Sequence, residues 1–303
     1  MNLSIKQLSQ EFRYPIKELD KIFKKNKLEL SGGKIKSKYK YTRKLKGSEA
    51  IYDKNISLKN TIELLDKKLT ENKVSPCHGI EHAKKVMINA YNALNSDLKL
   101  KKYTLSADDQ SAVLLAALLH DADDGKFFPN NKDYDNLREI LKANERTNEF
   151  IDKVVYMVSI VSSSKNGDTI PPPTIGKEWM LIPRYADRLE AIGIIGIKRC
   201  YIYNKNVSNV PLFLPETKRG KTEKELWEIA SVERYEDYNG SSKSMIDHYY
   251  DKLLRLSIFP IRNKFFDKEC KKRRKPLIDL LLLFGKNDNI TDDEINTFIN
   301  KKI

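Results

Sequence analysis

Only four histidines occur in the 303-residue chain, and three of them keep company with carboxylates. His78 and His82 stand four apart and are expected on one helix, a spacing that places both on the same face. His120 and Asp121 are adjacent at the end of the apolar run 113–119, and Asp123 and Asp124 follow. Asp187 opens the sequence Asp187-Arg188-Leu189-Glu190, and its neighbours Leu181, Ile182, Ile192 and Ile194 imply burial. Charged groups this close to a core must be paired or must coordinate a metal, because an unpaired buried charge is costly. Imidazole with carboxylate is a mixed N/O donor set, suited to Mn, Fe, Ni, Zn or Mg rather than to a thiolate-preferring ion. Any one of these histidines alone reads as a hydrogen-bonded core residue. The His-Asp doublet closing a hydrophobic helix, with a histidine-bearing helix before it, moves the reading to a metal.

The elements that would position these groups are helical nearly everywhere beyond residue 60. Apolar spacing predicts helices over 61–69, 80–94, 107–120, 136–144, 148–162, 179–195, 244–256 and 262–284. Residues 113–119 are apolar all round, the pattern of a central buried helix. The run 204–221 reads as a polar, broken loop and 291–303 as a weak tail. No internal repeat or alternating strand pattern appears, so the expected class is all-α. The expected organisation is a basic extension over 1–60, a helical domain over 61–290 and the tail.

With these residues in place, the sequence resembles the HD superfamily of metal-dependent phosphohydrolases, whose signature is a His, a His-Asp doublet and a distant Asp. The matching positions are His82, His120-Asp121 and Asp187. Residues 186–199 are similar to the DADRLDAIGAIGIAR stretch of one soluble, single-domain branch, and 248–253 to its HFYEKL helix. The resemblance spans roughly residues 70–285. It implies an HD-type helical bundle in which His82, His120, Asp121 and Asp187 bind one divalent ion, foremost Mn2+ or Mg2+, with Fe, Ni or Zn as alternatives. It also matches His78, Asp124 and Lys126 to the branch pattern. Glu190 and Lys198 depart from the more usual Asp and Ala.

A bound divalent ion lowers the pKa of its water and polarises a phosphoryl oxygen. Cations then stabilise charge that spreads over the phosphoryl oxygens. Lys126, Arg188 and Arg199 are the expected cations, and Asp124 or His78 would orient the water or pass a proton. His248, Lys252 and Arg255 share a helix face by spacing, read either as a phosphate-binding edge or as a solvated face. Lys165, in the polar stretch 162–167, either touches substrate or belongs to a plain helix stop closed by Gly167. Cys77 reads as a small filler. The expected reaction is cleavage of a nucleotide, most often nucleoside triphosphate to monophosphate and pyrophosphate, with a small-molecule nucleotide as partner.

Lys and Arg number 56 against 42 Asp and Glu, a net charge of +14. Residues 1–60 hold 16 basic and 6 acidic side chains, so +10 of that charge lies in the extension. This segment reads as a nucleic-acid-binding arm, with two short helices about Pro15, or as a solvated basic extension. The first reading gives an alternative function, a nucleic-acid-binding protein whose HD core is regulatory or relict. No stretch approaches 18 uncharged apolar residues, no secretory signal opens the chain, and three cysteines fit no disulfide scaffold. The expectation is a cytoplasmic protein with no membrane partner.

Overall fold

The computed structural model describes residues 28–31, 34–37, 46–208 and 210–301. The chain divides into two compact units, Met1–Leu64 and Leu65–Ile303. In the first, β1 (Leu28–Ser31) and β2 (Lys34–Ser37) pair antiparallel, with Leu30 opposite Ile35 and Ser31 opposite Lys34. This ribbon was not foreseen from the sequence. The helical pair expected about Pro15 lies outside the described residues. Helix α1 (Lys46–Glu71) begins in this unit.

Beyond residue 46 every described regular element is helical, and the all-α expectation holds. In the second unit, α2 (Ile80–Lys99) packs on α3 (Ala107–Leu119) and on α7 (Ile182–Glu190). Helix α3 carries the apolar run, and Val113, Ala116, Ala117, Leu118 and Leu119 are wholly buried. Its start is set by Ser106, whose Oγ accepts from the Asp109 N–H at 3.0 Å. Helices α4 (Asp135–Ala143) and α5 (Asn148–Ser159) follow, then the four-residue α6 (Ser163–Asn166).

The single helix expected over 179–195 is instead a 3-10 turn (Glu178–Leu181), α7, and a separate α8 (Gly193–Tyr203). The break has a local cause. Gly193 adopts φ +76°, and a Cβ on Gly196 would stand 2.2 Å from the Ala191 carbonyl oxygen. After the irregular segment come α9 (Glu223–Ile229) and α10 (Val232–Glu236), both missed in the sequence. The helix expected over 244–256 is interrupted. It comprises α11 (Met245–His248), a π-helical turn (Tyr249–Leu253) and α12 (Leu254–Leu256). Helix α13 (Lys264–Asn287) packs on α8 and runs through Pro276.

The expected tail is corrected: Asp292–Lys301 is a helix, α14, with Ile295 and Ile299 buried. Its entry is a reciprocal cap. Thr291 Oγ1 accepts from Glu294 N–H at 3.2 Å, and Glu294 Oε2 accepts from Thr291 N–H at 2.9 Å.

Candidate metal centre

Three helices bring the centre together. α2 supplies His82 in its first turn, α3 ends at His120-Asp121, and α7 supplies Asp187. His82 Nε2 lies 3.2 Å from His120 Nε2 and 3.2 Å from Asp187 Oδ1. His120 Nε2 lies 3.3 Å from Asp121 Oδ2 and 3.5 Å from Asp187 Oδ1, and His82 Nε2 is 3.8 Å from Asp121 Oδ2. The donors form two overlapping triads, His78, His82 and Asp121, and His82, His120 and Asp187.

His78 is not on the same helix as His82, which corrects the spacing argument. It sits in a 3-10 turn, Pro76–His78, and Gly79 caps α2 after it. The two rings still meet edge-on, 5.9 Å apart, and the His78 Nδ1–H donates to Asp121 Oδ2 at 3.0 Å.

The donor set fits a divalent cation. Donors about 2.1 Å from a shared centre stand roughly 3.0–3.4 Å apart in octahedral or tetrahedral arrangement. Four of the five separations, 3.2–3.5 Å, lie within about 0.1 Å of that range, and His82 to Asp121 is longer at 3.8 Å. The His120 Nδ1–H donates to the Ala117 carbonyl at 3.0 Å, which fixes the tautomer and turns the Nε2 lone pair inward. The electrostatics agree. Burial pushes the His120 pKa down, but Asp121 and Asp187 outweigh it and hold it well above its ordinary value. Against burial, His120 draws both carboxylates below the usual range. Burial, assisted by Arg199 and opposed by Asp187, keeps His82 below its ordinary value. Two ionised carboxylates therefore face a point where positive charge is favoured.

The other sequence-predicted residues are distributed around this centre. Asp124 is half-buried and spends one carboxylate oxygen on the Lys126 backbone N–H at 3.0 Å. The Lys126 side chain is exposed. Arg199 donates to the Glu190 carbonyl at 3.1 Å. Arg188, 2% exposed, does not stand open to solvent: it grips Asp168 and donates to the Gly167 carbonyl at 2.5 Å. Arg184, wholly buried one turn earlier, donates to the Ile160 and Thr169 carbonyls at 2.6 and 2.8 Å. The two arginines clamp the 160–169 segment to the helix that carries Asp187. Lys165 is exposed on α6 within that segment. Lys252 is half-buried; burial lowers its pKa, and Lys126, Asp187 and Arg188 all act on its ammonium. Lys252 and His248 thus lie on an element beside the centre, whereas Arg255 points elsewhere, donating to the Ala230 carbonyl and stacking 5.4 Å over Trp227.

Sequence reasoning missed the support beneath the ligands. Glu190, 2% exposed and three residues after Asp187, accepts from Asn89 Nδ2 and from Arg273 at 2.9 Å each. Asn89 lies two turns after His82 on α2, so this network ties the two ligand-bearing helices together. Glu190 within 186–199 was the available signal; its partners are 83 and 101 residues away.

The chain is 35% identical over 246 residues to "Uncharacterized protein L803" of Acanthamoeba polyphaga mimivirus, an alignment covering 76% of this chain and 97% of that one. The chain belongs to the family of that mimivirus protein. No protein-family model matches it. Among solved structures, a Lactobacillus plantarum protein aligns with a TM-score of 0.53 at 22% identity, over 77% of this chain and 96% of that one. An HD-superfamily hydrolase from Bacillus thuringiensis aligns with a TM-score of 0.50 at 19% identity, over 79% of this chain and all of the other. These are likenesses of fold, and the helical architecture is HD-like. Among the described residues no helix is long and apolar enough to cross a membrane.

Proposed function

We propose that the chain is a metal-dependent phosphohydrolase acting on a nucleotide, foremost splitting a nucleoside triphosphate to monophosphate and pyrophosphate. The observation that carries the reading is the cluster in which Asp121 and Asp187 each lie within 3.8 Å of the buried His82 and His120 Nε2 atoms. The likeness in fold to a protein named an HD-superfamily hydrolase supports it.

These four residues would hold one divalent ion, Mn2+ or Mg2+ before Fe, Ni or Zn. When bound, such an ion supplies a water of lowered pKa and a Lewis acid for a phosphoryl oxygen. The remaining chemistry belongs to the chain's side chains. His78 fixes the Asp121 carboxylate by donating to Oδ2, and its imidazole would hold a proton beside the reacting water. Asp124 keeps one carboxylate oxygen for the same task. Lys126, Lys252 and Arg199 bring positive charge to the phosphate side, as Lys165 would from α6, while Arg188, paired with Asp168, holds the 160–169 segment. Helices α2, α3 and α7 hold the four ligands in place before substrate arrives, and catalysis by electrostatic positioning needs that.

The test is metal analysis of the purified protein with a nucleotide panel that reports phosphate and pyrophosphate separately. Divalent-metal-dependent release of pyrophosphate, abolished by Asp121→Ala, is expected. Release of phosphate from nucleoside monophosphates, with no pyrophosphate from triphosphates, would make the chain a nucleotide monophosphatase. An inert metal-loaded protein on the whole panel would overturn the proposal.

A further inference from the structure

The metal centre accounts for the phosphate end of a substrate but leaves a second group of side chains unused. α11 ends at His248, and the π-helical turn Tyr249–Leu253 begins with the next residue. Such turns are costly and gather at functional sites, because the extra residue re-aims the side chains around it. Here the turn separates His248 from Lys252. The Lys252 ammonium lies 5.3 Å from the Tyr238 ring centroid, and the Tyr238 and His248 rings lie 5.5 Å apart, tilted at 56°. Ser242 Oγ is 3.3 Å from His248 Nδ1. Tyr238, His248, Ser242 and Lys252 are all half-buried. Tyr203 is 49% exposed and close enough to act on the Tyr238 hydroxyl.

Charge divides this group. Lys252 lies within electrostatic reach of Lys126, Arg188 and Asp187, hence of the metal centre. His248 is different: burial, with Lys252 beside it, pushes its pKa down to about 4. At neutral pH it carries no charge and offers one donor and one acceptor. The sequence grouped His248 with Lys252 as a phosphate edge, but a neutral imidazole between a tyrosine ring and a serine hydroxyl suits a different ligand. Flat heterocycles stack on aromatic faces, and their edge atoms pair with small donors and acceptors.

We propose that Tyr238 and His248, with Ser242, form the subsite for the uncharged nucleoside end of the substrate, its phosphates extending past Lys252 towards Asp187. The proposal rests on the phosphohydrolase reading for the direction of the phosphates, but its own test does not require turnover.

Binding of AMP, GMP, CMP and UMP, and separately of inorganic tripolyphosphate, is measured by calorimetry on the full metal-loaded chain and on Tyr238→Leu and His248→Asn. Each variant should weaken binding of the preferred monophosphate at least about tenfold, within the range a base–aromatic stack contributes. Tripolyphosphate binding should stay within about twofold of wild type. Equal losses for nucleotide and tripolyphosphate would overturn the subsite, as would unchanged nucleotide binding in both variants. So would a wild-type chain that binds tripolyphosphate but none of the four monophosphates at about 1 mM. Tyr238→Phe, which keeps the ring, should retain binding, and its failure would likewise count against stacking. Selective loss of nucleotide binding in a protein inert on the hydrolysis panel would uphold the subsite while overturning the proposed activity.

Discussion

Asp121, Asp123 and Asp124 lie within four residues, and the structure gives the middle one a task unlike that of Asp121. Asp123 Oδ1 accepts from Asn131 Nδ2 at 2.5 Å and from the Asn136 backbone N–H at 2.9 Å, and Oδ2 accepts from the Leu137 N–H at 2.9 Å. Asn136 and Leu137 are in the first turn of α4, whose N-cap residue Tyr134 makes no side-chain cap bond and has φ +56°. Asp123 therefore caps α4 from twelve residues upstream. Losing an N-cap costs about 0.5–2 kcal/mol, and a negative charge at a helix N-terminus adds about 0.3–1 kcal/mol. With the bond to Asn131 also lost, Asp123→Ala should cost about 2–4 kcal/mol. Asp123→Asn keeps an acceptor and should cost about half as much. Urea unfolding gives the stabilities, and metal analysis at saturating Mn2+ gives stoichiometry. Both variants should still bind one ion per folded chain. A fully stable Asp123→Ala that holds no metal would refute the reasoning, because it would make Asp123 a ligand and not a cap.

Three further outcomes follow from the packing. Arg273→Met leaves the buried Glu190 carboxylate without its cation and should cost about 3 kcal/mol or more, and adding Glu190→Gln should recover a large part of it, read as a double-mutant cycle in urea. Gly285→Ala places a Cβ 2.0 Å from the Gly220 carbonyl oxygen and should destabilise by about 1–3 kcal/mol, measured by the shift of the urea midpoint. His248 is neutral in the fold down to about pH 4 but takes up a proton near 6.5 when unfolded. Its contribution is therefore complete above pH 6.5 and is lost as pH falls towards 4, by up to roughly 3 kcal/mol. Stability of His248→Gln should fall less steeply than that of wild type across this window, and parallel curves would contradict the assignment.

The sequence was informative wherever one local signal decided the outcome. Helix α3 is apolar on every side, and a helix of that kind has nowhere to go but the centre of the domain. The break between α7 and α8 was hidden because its cause lies in backbone contacts. Gly196 faces the Ala191 carbonyl, and Gly193 packs against Arg273, eighty residues on. Helix α14 is legible in the sequence, since Thr291 and Glu294 spell a capping box and Ile295 and Ile299 keep helical spacing. The π-helical turn after His248 was not legible. Its residues have ordinary helical periodicity, and only the packing shows the shift.

The centre shows the same division between residue type and geometry. The ligand types could be named from spacing, although His78 and His82 do not share a helix. They meet because Pro76 and Gly79 fold a tight turn back onto the start of α2, and a strict helix is not required. Charge was the weaker guide. A cation near a phosphohydrolase centre invites assignment to the phosphate, yet Arg188 is spent on Asp168 and Gly167 and His248 carries no charge at neutral pH. Residue type says which side chains can hold a phosphate. Only the partners around each one decide whether it is available to do so, and among the described cations beside Asp187 the half-buried Lys252 meets that condition while Arg188 holds a loop.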